Sequence, residues 1–328
     1  MTERLATINR RSRPTRVPLL QRLRRWEASG VLLALIVLTT ALALASPNFL
    51  TLTNLPILLR NASFVGLVAL GETLVILVGG IDLSVGAGAG LSAIIGALML
   101  TKLGLNPFLT LPLTLLFGLA LGLVNALFVA KLRLNPFIVT LASGEIFAGA
   151  ILVITEGYPV RPLGSPFTMF GQTQIFGLPL PFLVFLACGL GLWFVLARTR
   201  FGRDIYAVGG NRDAATLVGI RVDRVEMAAF GLAGMFAALA GILYASRMDA
   251  AQPTVGQGWM LSAITASILG GTSLRGGEGA IVGTMFGALL LTVLQNGTVL
   301  LNVSGYWERV IIGGVVLVAV LIDVLRRK

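Results

Sequence analysis

The chain has 328 residues, of which 56% are hydrophobic and 12% are charged, and its formal net charge is +11. Soluble domains carry about 25% charged residues, so this composition, with a mean hydropathy of +0.92, excludes an ordinary soluble protein and predicts a polytopic helical membrane protein. The sequence contains one cysteine, Cys188, and no histidine, which excludes intramolecular disulfides, cysteine metal clusters and histidine-based metal sites or proton relays.

The N-terminal segment, residues 1–27, contains eight arginines. We expect it to form a basic cytoplasmic tail that precedes a single membrane domain at 28–328. The first apolar run, 29–45, is too long for a removed signal peptide and lacks a small-residue cleavage site. We therefore interpret this run as a retained span.

Ten apolar segments approach the length of about 20 residues that a membrane-spanning helix needs. Their expected positions are 29–45, 57–79, 85–102, 108–130, 136–155, 179–197, 225–246, 259–271, 279–299 and 306–324. The eighth is short, as is typical of a broken or tilted helix. The pattern predicts an all-α polytopic protein with about ten transmembrane helices.

The distribution of basic residues predicts the orientation of these spans. With the N-terminus inside, the tail, the segments at 131–133, 198–224 and 275, and the C-terminal end are cytoplasmic, and they hold 20 of the 25 basic residues. Cytoplasmic loops of membrane proteins carry an excess of Lys and Arg. Both termini are therefore expected in the cytoplasm, and the +11 charge is interpreted as topology rather than as nucleic-acid binding.

The connection between the second and third spans, 77–90, places Asp82 among glycines. Glycines break membrane helices, and a broken helix persists only where protein or a water-filled cavity satisfies its backbone. We expect a hinge at Gly79, Gly80 and Gly86, at the cytoplasmic end of the second span. Asp82 would cap the start of the third span through backbone N–H groups. The alternative is a simple cytoplasmic turn.

An internal repeat links the third and eighth spans. Residues 85–94 (VGAGAGLSAI) return as 255–264 (VGQGWMLSAI), with seven of ten positions identical at an offset of 170. An offset of five spans inverts the orientation, which predicts two inverted five-helix halves at about 50–178 and 179–328. Chance similarity among abundant small residues is the alternative. A weaker echo of 79–83 at 270–274 predicts a similar helix break at Gly270 and Gly271.

Two segments outside the spans are long. Residues 156–178, rich in proline and glycine, are expected to form an irregular external cap. In the cytoplasmic segment 198–224, Asn211 favours a helix start and Gly219 a helix end. We predict a short helix at 211–219 that exposes Ala214, Ala215, Leu217 and Val218. Such a helix suits docking to another protein, whereas the alternative is that it lies on the membrane surface.

Four motifs resemble those of ribose/xylose-type ABC sugar-importer permeases, and the resemblance runs from about residue 50 to the C-terminus. They are GIDLSVG at 80–86, NPFIVTL at 135–141, FGRDIYAVGGN at 201–211 with Ala214-Ala215 and Gly219-Ile220, and GGTSL at 270–274 with Gly276-Gly277.

This resemblance implies the membrane subunit of an importer in the bacterial cytoplasmic (inner) membrane that moves a pentose or hexose inward by alternating access. The chain itself would not be an enzyme and would hold no cofactor, because ATP would be bound by cytoplasmic partner subunits. A second permease subunit, identical or homologous, and an extracytoplasmic sugar-binding protein would complete the system. The predicted helix would couple to the ATP-binding subunit through Asn211, Ala214, Ala215, Leu217 and Gly219.

Polar residues within or beside the spans are candidates for the sugar path, because polar groups in membrane helices are expensive and often functional. The candidates are Asp82, Ser84, Asn125, Asn135, Gln295 and Asn296. The alternative for each is an interhelical hydrogen bond.

Two other classes of function compete with ATP-driven import. A secondary transporter would need an intramembrane charge to bind its coupling ion, and Glu72 and Glu145 are the candidates. An integral membrane enzyme would need catalytic motifs, and the sequence shows neither a nucleophile motif nor paired carboxylates at a catalytic spacing. The sequence also lacks the G-x-x-x-x-G-K-[ST] phosphate-binding motif, so energy from ATP must come through a partner.

Overall fold

The structure is a computed structural model that describes residues 29–304 and 306–326. Its regular structure is helical apart from one hairpin. The helices are α1 (Ser29–Ala45), α2 (Asn54–Leu77), α3 (Val85–Thr101), α4 (Pro107–Ala126, continued by a π-helical turn at Leu127–Lys131), α5 (Pro136–Thr155), α6 (Ser165–Gln172), α7 (Leu180–Arg198), α8 (Arg200–Gly210), α9 (Arg212–Leu217), α10 (Val222–Met248), α11 (Trp259–Leu269), α12 (Ile281–Leu300) and α13 (Tyr306–Arg326). Strands β1 (Gln174–Ile175) and β2 (Leu178–Pro179) pair antiparallel.

Each of the ten predicted spans coincides with one helix of the structure. Six helices of the described residues, namely α2, α4 with its π-helical turn, α5, α7, α10 and α12, are long and apolar enough to cross a membrane. Helices α1, α3 and α11 are shorter and apolar. The prediction of a helical polytopic membrane protein is confirmed at this level. The predicted tail at 1–27 lies outside the described residues.

Helix α2 forms the centre of the bundle and is buried along most of its length. It packs against α7, α10, α11 and α12, while α10 also packs against α3 and α4. Small residues allow the closest crossings: a β-carbon at Gly122 of α4 would overlap the backbone of Phe230 in α10. Close approach of backbones is the main source of helix association in membranes, where burial of apolar groups contributes little.

One end of the bundle, the cap end, is formed by residues 156–179 and the C-terminal end of α10. Asp249 Oδ1 accepts hydrogen bonds from the backbone N–H groups of Leu163 (2.9 Å) and Gly164 (3.1 Å). Ser246 Oγ donates to the carbonyl of Phe167 (2.7 Å), whose ring is fully buried. The expectation of an irregular segment is wrong in part, because the segment contains helix α6, which these contacts hold against α10, and the β1–β2 hairpin, whose second strand packs against α2 and α7.

The opposite end, the basic end, is formed by residues 131–136, 198–224 and 271–280. The predicted loop at 198–224 contains helix α8, which the sequence analysis missed. Thr199 caps its start by accepting from Gly202 N (3.2 Å), and Ile205 and Val208 are buried on its inner face. Arginines and an aspartate interrupt this stretch, so it lacks the continuous apolar run by which the ten spans were recognised.

The short helix predicted at 211–219 is present as α9. Asn211 Oδ1 accepts from Ala214 N (2.9 Å) at its start, and Gly219 follows it with a φ of +86°. The predicted exposure of Ala215 is wrong, since this residue is 3% exposed and belongs to the core. Leu217 and Val218 are 88% and 77% exposed, as expected.

Two amides join α2 to α12. Asn54 Nδ2 donates to Asn296 Oδ1 (2.9 Å), and Asn296 Nδ2 donates to Asn54 Oδ1 (2.8 Å). We expect Asn296→Ala to destabilise the bundle by about 1–2 kcal/mol, because Asn54 is left partly unpaired in a buried position. A lower melting temperature in detergent would show this. Thr298→Ala, in the same helix but with its hydroxyl bonded to Gln295 O, should change the melting temperature much less. Equal melting temperatures for both variants would contradict the prediction.

Candidate functional site

A buried group of polar residues, the central polar cluster, lies where α2, α3, α4 and α5 meet. It consists of Glu72, Asp82, Ser84, Asn125 and Thr140, each at most 2% exposed. A cluster of this kind inside a membrane protein indicates a structural or functional requirement, since polar groups there are expensive unless paired. Three of its members, Asp82, Ser84 and Asn125, were predicted separately for the sugar path.

The chain reaches this cluster by folding back after α2. The segment 78–84 turns so that the Asp82 N–H donates to Glu72 Oε1 (3.1 Å), five residues before the end of α2. The position predicted for Asp82, at the end of the second span, is therefore corrected: the residue lies beside the helix, inside the bundle. Phe230 of α10 packs against Gly80 at the turn, where a larger side chain would meet the phenylalanine ring.

Asp82 acts as an acceptor for the start of α3. Its Oδ1 accepts from Ser84 N (2.9 Å) and from Ser84 Oγ (2.6 Å), and Asn125 Nδ2 donates in turn to Ser84 Oγ (2.8 Å). Asp82 therefore accepts from the backbone N–H of Ser84, the residue before the first helical residue of α3, and makes no side-chain cap to the first turn of that helix. Thr140 adds α5 to the network by accepting from Leu83 N (3.0 Å). The cluster thus ties three helices to the α2–α3 connection.

The other path candidates lie elsewhere. Asn135 is exposed at the start of α5, where its Oδ1 accepts from Phe137 N (2.9 Å). Gln295 and Asn296 lie in α12, and Asn296 is held by Asn54 as described above. The structure therefore brings together one half of the predicted path residues and leaves the other half in separate contacts.

Two of the glycines predicted as hinges, Gly86 and Gly270, lie at close backbone contacts. A β-carbon at Gly86, in the first turn of α3, would lie 2.6 Å from the carbonyl oxygen of Gly256, and one at Gly256 would overlap the carbonyl of Gly86. Gly270 is packed in the same way against the backbone of Gly283 in α12. Near the basic end, a β-carbon at Gly276 would lie 2.9 Å from the backbone of Gly79. These contacts leave no room for a side chain at Gly86, Gly256, Gly270 or Gly276, whereas a β-carbon at Gly79 would have no neighbour closer than 3.9 Å.

A cavity of about 280 Å³ opens beside the Gly86–Gly256 crossing, between α3, α5 and the segment 253–258. Most of its lining residues are apolar, and its polar side chains are those of Glu145 and Gln257. Glu145 is exposed on the outer face of α5, whereas Glu72, the other carboxylate considered for ion coupling, is sealed in the central polar cluster.

The basic end presents α9 between charged residues. Arg212 pairs with Glu226 (3.1 Å) and Lys131 with Asp223 (3.4 Å), which connects α9 and α4 to the start of α10. The Lys131–Asp223 pair is exposed on both sides and contributes little to stability, whereas Glu226 is a buried partner for Arg212. Arg212 and the buried Ala215 attach α9 to the bundle, while Leu217 and the following Val218 are exposed.

Comparison with known proteins gives consistent matches. Residues 54–320 match the family model described as "Branched-chain amino acid transport system / permease component". The ribose import permease protein RbsC of Bacillus subtilis is 43% identical over 90% of this chain and 92% of its own length. The D-allose transport system permease protein AlsC and the xylose transport system permease protein XylH, both of Escherichia coli, are 37% and 32% identical, over 92% and 84% of this chain and 93% and 86% of their own lengths. No solved structure matches the chain significantly.

Proposed function

The chain belongs to the ribose/xylose-type family of transport permeases, and from this we propose that it is the membrane subunit of an ATP-driven importer that moves a monosaccharide into the cytoplasm by alternating access. Its relatives are named as permease proteins of transport systems, so the chain is a transport subunit and not an enzyme. The observation that carries the proposal is similarity along about nine-tenths of the chain to permeases named for ribose and allose import.

The transport experiment follows from the names of these relatives. Vesicles that contain the permease, the ATP-binding subunit and the sugar-binding protein of the same system should accumulate a radiolabelled pentose or hexose, with D-ribose, D-allose and D-xylose as the first probes. Accumulation should require ATP inside and should persist when ion gradients are dissipated. Uptake driven by an ion gradient without ATP would contradict the proposal and favour a secondary transporter.

We place the basic end in the cytoplasm and the cap end outside. Ten described basic residues lie at or toward the basic end (Lys131, Arg133, Arg198, Arg200, Arg203, Arg212, Arg221, Arg224, Arg275 and Arg326), and five lie toward the cap end (Arg60, Lys102, Arg161, Arg247 and Arg309). This asymmetry supports the orientation in a bacterial cytoplasmic membrane. The ATP-binding subunit would then meet α8 and α9, and the sugar-binding protein would meet the cap end.

Alternating access would be performed by two inverted halves. When 170 is added to the residue numbers of the first half, the range of α2 overlaps that of α10. In the same way α3 corresponds to α11, α4 to α12 and α5 to α13. The packing supports the same correspondence, because α10 packs on α3 and α4 while α2 packs on their counterparts α11 and α12. Gly86 and Gly256 are counterparts at this offset and contact each other, as expected for residues beside a two-fold axis in the membrane plane.

Helix α9 would transmit the motion of the ATP-binding subunit through Leu217 and Val218. We expect Leu217→Asp to abolish copurification of the ATP-binding subunit and to lower ATP-dependent uptake by roughly a hundredfold, because a charge replaces an apolar anchor at the centre of an interface. Membrane yield and melting temperature should be unchanged, since Leu217 is 88% exposed.

Leu103→Asp is the matched control for this coupling test. Leu103 is 70% exposed and follows α3 toward the cap end, so the same substitution there should leave copurification of the ATP-binding subunit intact. Retention of the subunit by Leu217→Asp, together with normal uptake, would rule out α9 as the coupling element. Ala215 is unsuitable for this test because it is buried, and a charge there would disturb folding.

A further inference from the structure

We infer that Glu145 and Gln257 bind the hydroxyl groups of a polyhydroxylated solute in a water-filled path, which runs along the outer face of α5 and is closed by the second permease subunit. The inference rests on the proposed function and deepens it, because it assigns the solute-binding side chains. It also separates these two residues from the central polar cluster, whose members are each at most 2% exposed in this structure.

The position of Glu145 requires an aqueous or protein neighbour. It lies halfway along the 20-residue helix α5 and is exposed on the surface of the chain. A carboxylate at this depth is unfavourable in hydrocarbon, and ionisable residues in spans almost always face a bundle interior or a water-filled cavity. This chain does not cover Glu145, so the cover must come from outside it. We assign that cover to a second permease subunit, the partner that the resemblance to sugar-importer permeases implies.

The cavity beside Glu145 has the character of a small-solute site. Glu145, Leu141 and Leu152 lie along one face of α5 and line it, and the opposite wall is the irregular segment Pro253–Gly258. The volume of about 280 Å³ lies just below the range of roughly 300–1,000 Å³ found for drug-sized ligands. It therefore suits a molecule as small as a monosaccharide.

The chemistry of the lining matches a neutral polyol. The Glu145 carboxylate accepts hydrogen bonds from two hydroxyl groups, and the Gln257 amide both donates and accepts. Apolar side chains such as Leu83, Ile151 and Met260 line the rest of the cavity and suit the C–H faces of a sugar ring. The cavity lining contains no basic residue, which argues against an anionic solute.

The cavity also lies at the place where the proposed halves would move. Gly86 and Gly256 form part of its lining and are in backbone contact with each other. Glu145 belongs to the first proposed half and Gln257 to the second. A solute held between them would therefore respond directly to movement of one half against the other.

Cysteine labelling tests the path without depending on transport by the variants. In a Cys188→Ser background, Glu145→Cys and Gln257→Cys in the assembled transporter should react with a charged, membrane-impermeant methanethiosulfonate. The rate should be roughly tenfold or more above that of Ile146→Cys, because only a thiol in water ionises to the reactive thiolate. Ile146 is the matched control, since it adjoins Glu145, is 67% exposed and does not line the cavity.

The sugar that the wild-type system accumulates should slow labelling at both cavity positions and leave Ile146→Cys unaffected. In uptake assays, Glu145→Gln should raise KM about tenfold or more, as expected when a charged hydrogen-bond acceptor to the solute is lost. Glu156→Gln, beyond the end of α5 and outside the cavity, should leave KM unchanged.

Labelling at Glu145→Cys and Gln257→Cys no faster than at Ile146→Cys would overturn the path, and fast labelling without protection by a transported sugar would overturn the binding site. Failure of the proposed function itself has a different signature, which is the absence of ATP-dependent sugar uptake by the wild-type transporter.

Discussion

Gly256→Ala is expected to reduce sugar uptake by more than tenfold and to lower the melting temperature of the permease. The added β-carbon would overlap the carbonyl of Gly86, so α3 would have to separate from the segment that leads into α11. Backbone atoms cannot change rotamer to relieve such an overlap, and tight packing transmits the displacement to the surrounding helices. Uptake in vesicles and thermal melting in detergent measure the two effects.

Two variants separate this steric effect from backbone strain. Gly256 has a φ of +83° and Gly258 a φ of +82°, but a β-carbon at Gly258 would have no neighbour within 4 Å. Gly258→Ala should therefore lose only the roughly 1–2 kcal/mol expected for a non-glycine residue in the left-handed region. Gly86→Ala places its β-carbon 2.6 Å from the Gly256 carbonyl oxygen without a positive φ.

The expected order of damage follows from these differences. Gly256→Ala combines strain with overlap and should be the most severe, Gly86→Ala should be intermediate, and Gly258→Ala should be mild. If Gly256→Ala behaves like Gly258→Ala in both assays, the close crossing has no role in transport. A loss of uptake by Gly86→Ala with an unchanged melting temperature would assign the crossing to movement rather than to folding.

The helices that cross the bundle could be predicted from the sequence because hydrocarbon length and apolar composition determine them directly. Helix α8 could not be predicted in the same way, since it has a charged face and no continuous apolar run. Its buried apolar side chains are Ile205 and Val208. A search for apolar residues at a helical spacing, rather than for apolar runs, would have found it.

Contacts between distant segments were beyond reach of the sequence. The Asp82 N–H reaches the Glu72 carboxyl group because the segment 78–84 folds back, and no local sequence pattern predicts the direction of that turn. The burial of Ala215 likewise depends on how α9 sits against the core. The internal repeat is the exception, because its offset of 170 pairs Gly86 with Gly256, and these two residues are in contact in the structure.

The second large effect is expected at Asp82. Asp82→Ala removes the acceptor for both the N–H and the hydroxyl of Ser84, in a site that is 1% exposed. We expect a loss of about 2–4 kcal/mol in stability, since buried donors are left without partners, and a loss of measurable uptake. Asp82→Asn keeps one acceptor oxygen and should fold with a smaller drop in melting temperature, while uptake falls because the hydrogen bonds from Ser84 at the α2–α3 junction are altered.

A double-mutant comparison shows whether this effect arises from the network. Asn125 is connected to Asp82 through Ser84 Oγ, so Asn125→Ala should cost less stability in the Asp82→Ala background than in the wild type. Thr114 lies in the same helix as Asn125, but its hydroxyl donates to the carbonyl of Thr110 (2.9 Å) within α4. Thr114→Ala should therefore add its full effect in both backgrounds.

Additive effects of Asn125→Ala and Asp82→Ala on stability would mean that the polar groups act independently. Normal uptake by Asp82→Asn would mean that the segment 78–84 is a simple turn without a role in transport. Non-additive effects on stability, together with impaired uptake, would instead show that the hydrogen bonds joining Asp82, Ser84 and Asn125 fix the connection between α2 and α3. We call this hydrogen-bonded group the joint. The joint is internal to the protein, whereas Glu145 and Gln257 line a cavity open to a solute. The fold thus separates the residues that position the proposed moving helices from those that would contact the sugar.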